Sequence, residues 1–279
     1  MTWNIVSDSS CDLRTASFHS SCVRFETVPL RIQVGGREFV DDDALSVPAL
    51  LSAMAVEKAA SSSACPSPAA YAEAFEQGEE TVCVTISSQL SGSYNAAMAA
   101  RDLVLAEHPE KKIFVLDSLA TSGVMILLLR KAAELAQQDL PFEELCEKLL
   151  EYRSSTKICF TLEHFDNLVK NGRMPPLAGT LLQTLGIRII ADATPQGTIH
   201  IAKKARGEAH TARAIAQLMS DAKDCTGSHV IITHCQNPAG AERLRSVIEA
   251  QTAAASVEIL DCHGLTSFYA MDQGLIISY

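Results

Sequence analysis

The sequence lacks the motifs on which several function classes depend. It has neither a G-x-x-x-x-G-K phosphate loop nor a G-x-G-x-x-G turn, so nucleotide binding is without its usual support. The nucleophile elbow G-x-S-x-G is absent around Ser91, because position 89 is glutamine and position 93 is serine. The nine cysteines are spread along the chain without a C-x-x-C pair. We therefore expect no structural metal, and reduced core thiols in a cytoplasmic protein.

Basic surface and long apolar segments are also scarce. The formal net charge is −10, and the short patch at residues 203–206 is the main basic cluster, which argues against nucleic acid or an anionic membrane as a partner. The apolar run 124–129 is too short to cross a bilayer. Residues 1–8 are strand-like and turn polar too early for a signal peptide. We expect no stable membrane insertion.

Material for a hydrophobic core is abundant, since 47% of the 279 residues are apolar and 20% are charged. In the first half, predicted strands at Trp3–Val6, Val82–Ile86 and Ile113–Leu116 alternate with helical runs, which is typical of a parallel α/β sheet. In the second half, residues 186–191 and 198–203 are joined by a short turn and predict an antiparallel hairpin.

These patterns predict a two-domain α/β protein. We expect residues 1–155 to form an N-terminal domain around a parallel sheet and residues 156–279 a C-terminal domain around a mixed or antiparallel sheet. A cleft between such halves is a usual place for a ligand. The run Val23–Ile32 is predicted to be one further strand of the first half.

The most informative stretch joins the strand at Val82–Ile86 to the helix that begins at Ser93. Backbone N–H groups are left without partners where a helix begins, at the positive end of its dipole. Four serines add hydroxyl groups there, and Gly92 lets a ligand approach the backbone; the serines are at positions 87, 88, 91 and 93. The residues alone predict either an anion site or serines that only cap the helix.

Four polar loops are expected to meet at the carboxyl ends of the strands. They span residues 7–10, 61–68, 87–94 and 117–123, and in an open parallel sheet such loops share one edge. Hydroxyl groups that converge there would suit an acidic head group. We expect Asp8 and Asp117 to orient neighbouring hydroxyl and N–H groups rather than to act as acid and base.

Two local alternatives stay open at this point. Ser91 could be the nucleophile of a hydrolase, with His234 or His263 as the base; a ligand-free interaction module is a further alternative. Arg173 follows a helical stripe that ends at Asn171–Gly172. It could pair with an anion in the cleft or satisfy the last carbonyl groups of the helix.

Taken in order, the motifs resemble the DegV family of bacterial fatty-acid-binding proteins over essentially the whole chain. The segments that carry the resemblance are Ile5–Leu13, Val28–Leu30, Ser63–Pro68, Ser87–Tyr94, Asp117–Ser118 with Ser122–Gly123, Leu168–Met174, Gly186–Ile190, Lys204–Arg206 and His234–Pro238. No single motif is specific, but the ordered set is.

The resemblance implies a carrier, not an enzyme, that encloses one long-chain fatty acid between two domains without a cofactor. It implies that Ser63 and Ser91 hold the carboxylate, because they match the family's T-S-x-P threonine and the first serine of S-G-[ST]-Y. A separate fatty acid kinase as partner is implied as well. Where many relatives have a carboxylate-binding histidine before the last strand, this chain has Tyr269, and His263 does not align.

Burial of the acyl chain supplies enough free energy for tight binding. At about 0.8 kcal/mol per methylene, a sixteen-carbon tail gains on the order of 11 kcal/mol before the costs of binding. The candidate tail contacts are Leu90, Ile126, Leu162, Phe165 and Phe268, although the residues themselves favour an ordinary core role for each.

Overall fold

The structure is a computed structural model that describes residues 3–14, 23–57, 59–138, 140–174 and 187–279. Cys22 and Gly186, which belong to the cysteine set and to a predicted strand, lie outside these ranges. No helix among the described residues is long and apolar enough to cross a membrane.

Strands and helices alternate through the described part of the chain. The strands are β1 Trp3–Asp8, β2 Val23–Val28, β3 Arg31–Val34, β4 Arg37–Val40, β5 Ser62–Ala64, β6 Glu80–Thr85, β7 Lys112–Asp117, β8 Ile158–Leu162, β9 Ile187–Ala193, β10 Ile199–Arg206, β11 His229–His234, β12 Ser256–Asp261 and β13 Leu275–Ser278. The helices are α1 Val47–Val56, α2 Pro68–Glu76, α3 Ser93–Glu107, α4 Gly123–Leu135, α5 Phe142–Ser155, α6 Asp166–Lys170, α7 Glu208–Ala222, α8 Pro238–Gln251 and α9 Gly264–Ala270.

The strands form three sheets. The first has the order β2-β1-β6-β7 and is parallel throughout. The second has the order β10-β9-β8-β13-β11-β12; its pairs are antiparallel except β11 with β12. The predicted parallel and mixed sheets and the β9–β10 hairpin are therefore confirmed. The division into two domains at residue 155 stays a prediction.

A small third sheet corrects one predicted strand. The run Val23–Ile32 is broken at Pro29, so that β2 joins the parallel sheet and β3 pairs with β4 and β5 in an antiparallel sheet. Proline has no N–H to donate to a neighbouring strand, so the pairing of β2 ends before Pro29 and β3 begins after it. The break brings Ser63 on β5 opposite Ile32 on β3.

Helix α4 lies between the two large sheets. Its residues Gly123–Leu129 are all buried, and the helix packs on β1 and β6 of the parallel sheet and on β11 and β13 of the mixed sheet. A Cβ at Gly123 would come within 2.7 Å of Ser278 Oγ, so glycine permits this close approach. One hydrophobic core thus contains residues of both sheets.

Strand β8 presents alternate residues to the two faces of the mixed sheet. Phe160 and Leu162 face a cavity toward the parallel sheet, whereas Cys159 packs in the core of α7 and α8. This alternation is the two-residue period of a β-strand. The two faces of the mixed sheet therefore carry different sets of side chains.

The turn of the β9–β10 hairpin contacts the loops that follow β6 and β7. The Ser87 hydroxyl donates a 2.8 Å hydrogen bond to the carbonyl oxygen of Gly197. Gly197 has a φ of +84°, and a Cβ there would lie 3.0 Å from the Leu119 backbone. Only a residue without a side chain meets both requirements.

We expect Gly197→Ala to lower the free energy of unfolding by about 2–4 kcal/mol, because it adds backbone strain and a clash. Gly207→Ala is the matched control, since Gly207 has a φ of +76° and open space around its Cβ position. The control is expected to cost about 1 kcal/mol from strain alone. Urea denaturation of both variants measures the difference, and equal losses would contradict the close contact with Leu119.

Candidate functional site

A cavity of about 840 Å³, which includes open space at its mouth, lies between the parallel sheet and the mixed sheet. Most of its lining is apolar. The apolar side chains include Leu30, Ile86, Leu90, Ile158, Phe160, Leu162, Leu168, Ile199, Leu265 and Ile276. The four site residues predicted from the sequence, Ser63, Ser91, Arg173 and Tyr269, all lie on the wall of this one cavity.

Ser63 and Tyr269 form a hydroxyl pair although 206 residues separate them in the chain. Ser63 Oγ and Tyr269 Oη are 2.9 Å apart, and both side chains are partly buried. Each hydroxyl can donate one hydrogen and accept another. Donation within the pair therefore leaves one hydrogen free for an acceptor in the cavity.

The Ser91 hydroxyl is oriented by the start of α3. Its Oγ accepts the Ser93 N–H at 3.2 Å, while the Ser91 N–H donates to the Ser87 carbonyl oxygen at 3.1 Å. The Ser91 hydroxyl has no acceptor of its own among the described residues, so its hydrogen is available for a ligand. Ser91 thus contacts the helix start and also lines the cavity, and an anion site at this loop stays a prediction.

Arg173 is held by carbonyl groups at the cavity wall. Its Nε donates to the Leu90 carbonyl oxygen at 2.9 Å, and its Nη1 donates to that of Asn171, the residue that follows α6. The guanidinium has five N–H groups, and these two carbonyl groups use two of them among the described residues. The structure thus supports the carbonyl-satisfying alternative, and pairing with an anion stays a prediction.

Asp8 fixes the loop that carries Ser91. The carboxylate is fully buried and accepts from Ile86 N at 2.9 Å, from Ser93 Oγ at 2.7 Å and from Ser10. Tyr71 extends the network through a 2.6 Å hydrogen bond with Ser93 Oγ. Burial raises the pKa of the Asp8 carboxyl, while the bonds from Ser10 and Ser93 oppose the rise. The predicted orienting role of Asp8 is confirmed.

Asp117 likewise fixes two neighbouring loops through hydrogen bonds to their backbone. Its carboxylate accepts from Ser88 N at 3.2 Å and from Leu119 N at 2.9 Å. Leu119 and Ser122 both have a φ of +56°, which is rare for residues with side chains. The anchored turn places Leu119, Ala120 and Thr121 on the cavity wall.

Two distant carboxylates hold the first turn of α9, the helix that carries Tyr269. The Asp41 carboxylate accepts from Gly264 N and Leu265 N, each at 2.9 Å. Asp12 accepts from His263 N at 2.7 Å, and burial raises the pKa of its carboxyl to about 7. Both residues are almost fully buried. The sequence analysis did not identify them, because their partners lie more than 220 residues away.

The two histidines of the hydrolase alternative lie outside the cavity wall. His234 Nδ1 accepts the Asn237 N–H at 3.3 Å. His263 precedes α9, where burial and then the Arg14 charge lower its pKa to about 4. Among the residues described, neither lines the cavity with Ser91. The structure therefore does not support a Ser–His pair at Ser91.

The candidate tail contacts divide into two groups. Leu90 and Leu162 line the cavity, whereas Ile126, Phe165 and Phe268 are buried in the core. Periodicity identifies an apolar face but not the space that it borders, so the sequence could not separate them. Asp192, Thr198 and Thr266 add polar groups to the wall that the sequence analysis did not identify.

The cysteines and acidic residues present no metal site in the described ranges. No group of three or more His, Cys, Asp or Glu side chains there could hold a metal ion. Cys65 is exposed, contrary to the prediction of core thiols, whereas the other described cysteines are buried; all eight are unpaired.

Comparisons with known proteins match the chain to one protein family. A family model described as "Uncharacterised protein, DegV family" matches residues 2–272. A DegV domain-containing protein of Streptococcus pyogenes serotype M1 is 37% identical over 279 residues, which cover 100% of this chain and 99% of that protein.

Two solved structures share the fold. The Streptococcus pneumoniae Fatty Acid Kinase (Fak) B3 protein loaded with linoleic acid has a TM-score of 0.96 and 39% identity, covering 100% of this chain and 99% of that one. A DegV family protein from Eubacterium eligens loaded with heptadecanoic acid has a TM-score of 0.93 and 32% identity, covering 99% of both chains.

Proposed function

The chain belongs to the DegV family, and from that premise we propose that it is a carrier that binds one long-chain fatty acid non-covalently. The carboxylate is held by Ser63, Ser91, Tyr269 and Arg173, and the acyl chain is buried in the cavity between the two sheets. The observation that carries the proposal is a mostly apolar cavity that is lined by all four of these polar side chains.

The polar groups suit a carboxylate. A carboxylate only accepts hydrogen bonds, and Ser91, the Ser63–Tyr269 pair and Arg173 are all able to donate. Arg173 adds a positive charge, and charge-assisted hydrogen bonds are about twice as strong as neutral ones. Tyr269 in the place of the family's histidine supplies a donor without a charge, so Arg173 is the cation of the site.

In this proposal the protein binds the fatty acid but does not itself catalyse a reaction. Ser91 lacks a histidine on the cavity wall among the described residues, so the usual base of a serine nucleophile is not found there. We propose instead that the bound acid is presented to a separate fatty acid kinase. This proposal is supported by the name of the Fatty Acid Kinase (Fak) B3 relative.

The proposal extends to the setting of the protein. Eight unpaired thiols suit the reducing cytoplasm. Residues 1–155 and 156–279 are proposed to be the two domains, which is supported by the way the parallel and mixed sheets use separate parts of the chain. The fatty acid would then be enclosed between them.

Organic extraction of the purified protein, followed by mass spectrometry, tests the function directly. We expect one long-chain fatty acid per protein and uptake of added palmitate or oleate by delipidated protein. A protein without acyl species that also takes up neither acid would overturn the proposal. Turnover of an activated ester that disappears in Ser91→Ala would instead favour the hydrolase alternative.

We expect Ser91→Ala to weaken palmitate binding by about 1–3 kcal/mol, because one carboxylate oxygen loses its donor. Ser88→Ala is the matched control in the same loop. The Ser88 backbone N–H is bound by Asp117, and the residue does not line the cavity. Calorimetric titration measures the palmitate affinity of both variants. An equal affinity would show that Ser91 contacts only the start of α3 and not the carboxylate.

A further inference from the structure

A second cavity of about 990 Å³, open space included, lies on the opposite face of the mixed sheet, between α7 and α8. Its apolar lining includes Ile215 on α7, Leu244 on α8 and Leu275 on β13, all of which are buried. On β13 the next residue, Ile276, lines the first cavity. The two cavities are thus separated by the sheet.

Two arginines and one glutamate lie at the second cavity. Glu208 extends one carboxylate oxygen to 2.8 Å from Arg243 Nη2 and the other to 3.7 Å from Arg188 Nη2. Arg188 is also 3.1 Å from Glu163. The Glu208 side chain is 58% exposed, so it is able to move out to solvent. The Glu208 carboxylate therefore shows where an anion can contact the guanidinium groups of both Arg188 and Arg243.

The start of α7 adds to the positive side of this position. This helix of 15 residues begins after Gly207, which has no side chain to cap the first N–H groups. Those N–H groups carry the positive end of the helix dipole. The neighbouring start of α8 is capped by Asn237, which accepts the Gly240 N–H at 3.0 Å.

An unpartnered hydroxyl lies on the floor of the same cavity. Thr161 on β8 is 1% exposed, lines the cavity, and its Oγ1 has no hydrogen-bond partner among the described residues. A buried hydroxyl without a partner costs about 1–3 kcal/mol, so such groups are uncommon in native proteins unless they have a role. Thr161 borders the cavity, so a change of its χ1 rotamer would bring this hydroxyl to a ligand there.

We propose that this cavity is a second ligand site, which takes a small organic anion. Its carboxylate or phosphate displaces Glu208 from Arg188 and Arg243, and its apolar part lies over Ile215, Leu244 and Leu275. Thr161 donates to the ligand from the floor. The site is independent of the fatty-acid cavity, because the mixed sheet lies between them.

Calorimetric titration of the full-length protein with phenyl phosphate, benzoate and inorganic phosphate tests the site. We expect saturable binding of at least one organic anion and weaker binding of inorganic phosphate, which has no apolar part. Phenyl phosphate alone would assign a phosphate ligand, and benzoate alone a carboxylate. Arg243→Met and Thr161→Val are each expected to weaken binding about tenfold, since each removes a donor from the anion.

Glu208→Gln is the diagnostic variant. It removes the competing carboxylate, so we expect it to tighten binding by about threefold to tenfold. Protein saturated with palmitate is expected to bind the probe as the delipidated protein does, because the mixed sheet separates the two cavities. Absence of saturable binding for both organic anions would overturn the proposal. So would binding that is unchanged by both Arg243→Met and Glu208→Gln.

Discussion

We expect Asp41→Ala to lower the free energy of unfolding by about 3–5 kcal/mol. The carboxylate is fully buried and accepts two N–H groups at the start of α9. It also lies 3.6 Å from the Arg14 guanidinium. Alanine would leave both N–H groups without partners and Arg14 without its buried counter-charge. A helix of seven residues does not persist on local propensity alone.

Urea denaturation followed by Trp3 fluorescence measures this loss. Trp3 is the only tryptophan and stacks on Phe142 at 5.8 Å. Asp43→Ala is the matched control, because Asp43 contacts the same arginine at 3.6 Å but is 65% exposed. Exposed ion pairs contribute about 0–1 kcal/mol. Similar losses in the two variants would show that the burial of Asp41 at the helix start is unimportant.

Filling the first cavity should have the largest effect on ligand binding. We expect Ala193→Trp to weaken palmitate binding by about 4 kcal/mol, or roughly a thousandfold, if the indole displaces about five methylenes at about 0.8 kcal/mol each. Ala193 lines the cavity at the end of β9 and is partly buried. The head-group residues are unchanged in this variant.

The chain length of the ligand distinguishes a filled cavity from a damaged protein. We expect Ala193 to lie beyond the reach of the eight-carbon tail of octanoate, so the affinity for octanoate should change by less than about threefold. Ala193→Ser is the control for the site itself and should bind palmitate normally. An equal loss for palmitate and octanoate in Ala193→Trp would place Ala193 at the head group instead of the tail.

Local sequence signals were sufficient for most of the fold. Helix α3 begins at the predicted residue Ser93, and α1 and α2 begin after Ser46 and Ser67, whose side chains cap the first turn beside a proline. Side-chain caps, proline near the first turn and alternating apolar residues act over a few positions. Such signals are legible in one sequence.

The elements that complete the site depend on distant partners. Strand β5 has only three residues, Ser62–Ala64, and becomes a strand because it pairs with β3. Helix α9 is stabilised at its first turn by Asp12 and Asp41 from the other end of the chain. Neither contact leaves a local pattern, so the Ser63–Tyr269 pair could be inferred only from the family resemblance.

Strand β8 gives the protein an uneven tolerance to sequence change. It is paired on both sides, with β9 and β13. Its adjacent residues Phe160 and Thr161 line cavities on opposite faces of the mixed sheet. Substitution of one of these residues alters one cavity and leaves the other as it was. A single inserted or deleted residue would instead turn every following side chain to the opposite face. This strand can therefore diverge by replacement in evolution, but not by a change in its length.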